Sequence, residues 1–150
     1  MRTKGSYKLI FASDHAGAEF RAHLSNYAAT KGHNCTQIGK SAEESVDYPD
    51  IVRDALKEFH SLSGDFLILL CGSGIGVSIA ANRDPSIRAV VALDPEQARM
   101  AREHNHANCL CMGSRFLSTQ KGVEILESFL MAAEDHAERH SRRVGKLGEL

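Results

Sequence analysis

The chain has almost no charge imbalance: its 150 residues include 18 lysines and arginines against 19 aspartates and glutamates, for a net charge of −1 at pH 7. Without an excess of either sign there is no global field to recruit nucleic acid or an anionic membrane, so any anion site must be local. Long apolar runs are missing as well, each being far shorter than the roughly 20 residues of a membrane span. The opening residues, Met1 to Lys8, lack the apolar region of a secretory leader, and a cytoplasmic location is the resulting expectation. Cysteine is scarce. Cys35, Cys71, Cys109 and Cys111 have no Cys-x-x-Cys spacing, which argues against a zinc ribbon or a disulfide framework. Cys35, Cys109 and Cys111 read as reduced core residues. There is no internal repeat and no low-complexity linker, and the length leaves room for one domain only.

What the chain does have is an alternation of short β-like runs with helical patterns from end to end, the signature of βαβ units. Strands are expected at Tyr7–Ala12, Asn34–Ile38, Phe66–Leu70, Ala89–Leu93 and Asn108–Met112. Between them Ala18, Phe20, Leu24, Tyr27 and Ala28 recur at helical spacing, as do Ile51, Val52, Ala55, Leu56 and Phe59. Pro49 and Pro95 suit the first turns of helices, and Gly32 suits a helix end. A further helix is expected from about Gly76 to Asn82. Helical stretches from about Thr119 to Ala133 and from about Asp135 to Gly145 complete the chain. The third strand is apolar throughout, as a central strand covered on both faces would be. The fold class expected is α/β: a three-layer α/β/α, Rossmann-like single domain around a five-stranded parallel sheet.

The third strand runs into Cys71-Gly72-Ser73-Gly74-Ile75-Gly76 and a helix start. Early helix amides lack intrahelical partners and, with the positive end of the macrodipole, favour negative charge. A cysteine there can ionise below its free pKa of about 8.5, and the amides of Gly72, Ser73, Gly74, Ile75 and Gly76 can hold an oxyanion beside the sulfur. The plainer alternative is a glycine turn with Cys71 as a small core residue. Asp14-His15 follows the first strand, where Asp14 can cap the next helix, face a ligand, or do both. In open α/β sheets ligands bind beyond the carboxyl ends of the strands where the strand order reverses. If strands one and three are neighbours there, an acid, an imidazole, a thiol and an amide cradle converge.

Three further groups carry chemistry. Arg102-Glu103-His104-Asn105-His106 precedes the fifth strand, and His104 is the acid/base candidate, against a reading of these residues as a solvated helix end. Arg139 and Arg143 stand four apart, on one helical face, as a phosphate clamp would, with Arg115 as a third candidate. His136 and His140 share that spacing, but with no third ligand apparent no metal or other cofactor is expected.

Taken together, Ser13-Asp14-His15-Ala16-Gly17, Asp47-Tyr48-Pro49, the Cys71–Gly76 loop through Asn82, His104-Asn105, Gly113-Ser114-Arg115, and Arg139-His140 with Arg143-Val144 resemble the type B ribose-5-phosphate isomerases and their relatives acting on galactose 6-phosphate or allose 6-phosphate. The resemblance runs from Lys8 to about Val144. It implies a metal-independent aldose–ketose isomerase with strand order 2-1-3-5-4 and a site at the interface of a homodimer, which two dimers could extend to a tetramer. The C-terminal helix would then pack on a partner subunit. It further implies Cys71 as the base, in place of the glutamate that some members carry further along the loop; Ile75 and Val77 offer no carboxylate. His104, aided by Asp14, would open the sugar ring, and Ser73 would relay protons. The loop glycines Gly72, Gly74 and Gly76 and Asn105 would stabilise the enediolate. His15, Arg115, Arg139 and Arg143 would hold the phosphate, and Tyr48 would line the sugar pocket. One departure is His106, where the family often has Asp; a carboxylate there would raise the pKa of His104 and an imidazole would not.

Two other classes compete. A nucleotide-binding module would use the glycine loop with Asp94 as the ribose acid, but the loop reads Gly-x-Gly-x-Gly and follows the third strand. A non-catalytic phosphosugar binder would use the same crevice. Five- and six-carbon sugars are not separated by sequence.

Overall fold

The computed structural model describes residues 5–150; Met1 to Lys4, on which part of the leader-free reading rests, lie outside the described residues. Five parallel strands form one sheet in the order β2-β1-β3-β5-β4. They are β1 (Lys8–Ser13), β2 (Asn34–Ile38), β3 (Phe66–Cys71), β4 (Ala89–Val91) and β5 (Cys109–Gly113). The helices are α1 (Ala18–Thr30), α2 (Tyr48–Ser61), α3 (Ile75–Ala81), α4 (Pro95–Asn105), α5 (Thr119–Met131) and α6 (Glu138–Leu147). This is the three-layer α/β/α arrangement and the strand order expected. Among the described residues no helix is long and apolar enough to cross a membrane.

Strand periodicity sorts the core into two halves. Leu9, Phe11, Phe66, Ile68, Leu70, Leu110 and Met112 face one side, where α1, α4 and α5 bring Phe20, Leu24, Ala98, Leu126 and Phe129. Ile10, Ala12, Leu67, Leu69, Cys71, Cys109 and Cys111 face the other, under Ile51, Val52, Ala55 and Phe59 of α2 and Val77 of α3. Every residue of β3 is buried, as its unbroken apolar run demands. Burial raises the Cys111 thiol well above its ordinary pKa, with the neighbouring Cys109 and Cys71 adding to the effect. Cys35, on edge strand β2, is only half-buried, because an edge strand lacks a covering neighbour on one side.

Boundaries shift where local chemistry overrides periodicity. The chain does not pass straight from Asp14 into a helix: His15–Gly17 forms one tight 3-10 turn, whose N-cap Asp14 accepts the Gly17 N–H at 3.2 Å through its side chain. Gly17 permits that turn to lie on β3, since a Cβ there would stand 2.8 Å from the Leu70 carbonyl. The fourth strand ends at Val91 rather than Leu93, because Asp94 caps α4 by accepting the Gln97 N–H at 2.8 Å and Gln97 returns an acceptor to the Leu93 N–H. The last helix starts at Glu138, three residues later than expected: the Asp135 carboxylate takes the Ala137 N–H at 2.8 Å, holding 135–137 in a turn.

Candidate active site

Strands β1 and β3 are neighbours, with Ser13 opposite Leu70, and the chain reverses direction of strand addition between them. The carboxyl edge of the sheet therefore presents Asp14 from β1, Cys71 from β3 and Ser114 and Arg115 from β5 side by side. Hydrogen bonds lock this edge together. The Ser114 N–H donates to the Cys71 carbonyl at 2.9 Å, the Arg115 N–H to the Gly72 carbonyl at 3.0 Å, and the Ser114 hydroxyl to the Ala16 carbonyl at 2.9 Å.

Cys71 is buried, and the Gly74 N–H donates to its Sγ at 3.1 Å. That geometry requires Gly74 in the left-handed region (φ 78°), and a side chain there would also strike the Met112 backbone at 2.9 Å. The Ser73 hydroxyl accepts the Ile75 N–H at 3.1 Å. Two of the five loop amides expected to form an anion cradle are thus already taken, one by the sulfur and one by Ser73. Gly72 serves close approach, because a Cβ on it would stand 3.0 Å from the Arg115 guanidinium. Gly76 does the same for Tyr48, whose ring would lie 2.7 Å from a Cβ at that position.

Asp14 is buried beside this loop, and His15 is half-buried one residue on. The Val46 N–H donates to His15 Nδ1 at 3.2 Å. Accepting at Nδ1 leaves the proton of a neutral ring on Nε2, so His15 presents a donor on its other side. Tyr48 opens α2 and is exposed.

His104, Asn105, Arg139 and Arg143 are elsewhere. Helix α4 ends at Asn105, and the chain then enters β5 at its amino end, where the Asn108 carbonyl accepts the Leu67 N–H at 3.0 Å. Cys71 pairs with Gly113, four residues further along the same ladder, or about 13 Å at the rise of a strand. The sheet lies between them. At this second pole the His104 ring stacks on His140 with centroids 4.4 Å apart and planes 6° from parallel, which places Arg139 and Arg143 of α6 beside His104 and not beside Cys71. The expected meeting of Asp14-His15 with Cys71-Gly72-Ser73 occurs within one chain, which also brings Gly74, Gly76, Tyr48 and Arg115 to that edge and none of the other four.

Two arginines and two histidines take positions that the sequence did not disclose. Arg21 is buried and donates to the Ser13 hydroxyl at 2.8 Å and to the Ile38 and Lys40 carbonyls at 3.3 and 3.2 Å, fixing the strand ends next to Asp14. Only the half-polar face of α1 at Arg21 could have signalled it. Arg102 is no solvated helix-end residue: it is buried, stacks over Phe66 at 4.5 Å and donates to the Ala107 carbonyl at 2.8 Å. His106 is also buried, so the solvated reading of this segment fails for both. His136 precedes α6, which removes the helical spacing with His140. Asp94 is committed to capping α4, against a ribose-binding role.

A groove of about 540 Å³ runs between α2 and α3, lined by Val52, Leu56, His60, Ile79 and Ala80 with Tyr48 and Gly76 at one end. It is mainly apolar, and Asp14, Cys71 and His104 do not line it. The exposed Ile75 and Ile79 extend this apolar face along α3.

Residues 9–147 match the model of the Ribose/Galactose Isomerase family. Among solved structures, the ribose 5-phosphate isomerase of Thermotoga maritima is 42% identical with a TM-score of 0.91, covering 96% of this chain and 99% of that one. The ribose-5-phosphate isomerase B of Clostridium thermocellum is 39% identical with a TM-score of 0.89 and 95% of both chains covered. The Escherichia coli ribose-5-phosphate isomerase B is 33% identical over 137 residues, 91% of each chain. With its reversal-point thiol, glycine loop and strand order, this chain belongs to the ribose/galactose isomerase family and is an aldose–ketose isomerase.

Proposed function

We propose that the enzyme interconverts ribose 5-phosphate and ribulose 5-phosphate through a cis-enediolate, with Cys71 as the base and no cofactor in the proton chemistry. Cys71 removes the proton from C2 of the open-chain aldose and returns it to C1, so that the carbonyl passes from C1 to C2 with no net gain or loss of atoms. The Gly74 N–H that donates to Sγ at 3.1 Å carries this reading, because it holds the sulfur at the mouth of the glycine loop, on the sheet edge where the strand order reverses. Asp14, at the end of the strand next to the one that carries Cys71, assists ring opening. Ser73 relays protons between the substrate oxygens, and the Gly72, Gly74 and Gly76 segment keeps backbone close to the enediolate. Tyr48 borders the sugar. His15, through its Nε2–H, and Arg115 bind phosphate oxygens.

His104 and Asn105 complete the chemistry, and Arg139 and Arg143 complete the phosphate clamp, from a second copy of the chain. Their place at the far edge of the sheet supports this: no side chain spans the strand ladder between the poles. A homodimer joining one pole of each protomer to the opposite pole of its partner closes two equivalent sites, with α6 against the partner.

Complementation tests the reading. Cys71→Ala and His104→Ala are each expected to be inactive on ribose 5-phosphate. Mixed and allowed to exchange subunits, they form heterodimers with one intact site, restoring roughly a quarter of wild-type turnover by random pairing. No recovery after verified exchange would place both residues in one protomer's site, or outside the reaction. A substrate panel in the same assay separates five-carbon from six-carbon sugar phosphates.

A further inference from the structure

We propose that His106, Glu134 and His136 form a site for one divalent first-row transition ion, with zinc the best chemical match. The three residues come from the end of α4 and from the connection between α5 and α6, and their ligand atoms all lie within 4.8 Å of one another. Glu134 Oε2 is central, 4.0 Å from His106 Nδ1 and 3.6 Å from His136 Nε2. Donors bound tetrahedrally to zinc at its usual bond lengths stand roughly 3.4 Å apart, so small side-chain movements close the triad. His136, half-exposed, is free to make most of that movement.

A second observation points to a cation. His106 Nε2 lies 3.0 Å from the Asp135 carbonyl oxygen, which can only accept, so the ring proton is on Nε2. Nδ1, the ring nitrogen left to act as a ligand, is the one turned toward Glu134 Oε2, 4.0 Å away. The arrangement also matches the way metal-bound histidines are oriented, the second ring nitrogen donating to a carbonyl. Arg102 donates to the other carboxylate oxygen, Oε1, at 3.3 Å, which holds Glu134 with Oε2 turned toward the two imidazoles. Two nitrogen donors and one carboxylate select zinc, nickel or cobalt over magnesium or calcium.

The ion takes no part in proton transfer. It ties the 134–136 connection to the end of α4, reinforcing the Asp135 N–H bond to the Glu103 carbonyl at 2.9 Å, and thereby steadies the helix that carries Arg139 and Arg143.

The test uses the full chain stripped with a chelator and titrated with Zn²⁺ by calorimetry and with Co²⁺ by visible absorption. One equivalent is expected to bind with a cobalt spectrum free of thiolate charge transfer, and Zn²⁺ is expected to raise the melting temperature. His136→Ala and Glu134→Gln should each weaken binding about tenfold or more and abolish the thermal shift. Cys71→Ala should leave binding unchanged, which separates this site from metal capture by the thiol. Affinity no tighter than millimolar, or binding indifferent to both His136→Ala and Glu134→Gln, overturns the proposal.

Discussion

The imidazoles of His104 and His140 lie face to face, 4.4 Å apart at their centroids, and His140 Nε2 is buried without a hydrogen-bond partner. Burial pushes His140 below its ordinary pKa of 6.5; the positive charges of Arg139, His104 and Arg143 add to the depression, and Asp135 opposes it. A histidine depressed in the folded state binds its proton more readily when unfolded. Its contribution to stability is therefore complete above about pH 6.5 and is lost as pH falls toward the folded value. Protection factors of α6 amides, taken relative to the intrinsic exchange rate at each pH, are expected to fall as pH drops below 6.5, and His140→Phe, which keeps the stack and removes the charge, should flatten that dependence. An equal fall in both proteins would assign the effect to other groups.

Cys71→Ala should bind ribose 5-phosphate with near wild-type affinity while losing about 10² to 10⁴ in turnover, the usual contribution of a positioned base. Calorimetry on the inactive variant and solvent-deuterium incorporation into the sugar are the two readouts. Retained exchange of the C2 hydrogen would remove Cys71 from the base role.

Arg139→Ala should raise KM for the phosphorylated substrate with little change in kcat, because a charged hydrogen bond to phosphate present in both ground and transition states contributes uniform binding. A neutral pentose serves as the control. An equal loss on the neutral sugar would show that Arg139 acts on something other than phosphate.

Gly74→Ala combines a left-handed backbone with a Cβ 2.9 Å from the Met112 backbone. A loss of about 2 kcal/mol or more in urea unfolding is expected. The variant should also lose activity by displacing the N–H that donates to Sγ of Cys71. Unaltered stability would mean that the loop relaxes freely, contrary to its packing against β5.

The sequence by itself determined the layers. The apolar run Phe66–Cys71 could be satisfied only in the middle of a covered parallel sheet, and the stripe from Ile51 to Phe59 only by a helix laid on it. Cys71, its glycine loop and Asp14-His15 were legible for the same reason: they lie at the ends of elements whose periodicity is strong, and strand polarity sends both ends to one edge. Local patterns carry no information about distance across the sheet. Only the tertiary structure decided that His104, Asn105, Arg139 and Arg143 occupy the opposite pole, because α4 must run back past the whole length of the strands before β5 can enter parallel to β3. It likewise decided that Arg102 and His106 are buried, through the stacking of Arg102 on the distant Phe66, and that His136 meets Glu134 instead of His140, because the turn at 135–137 takes His136 out of the helix.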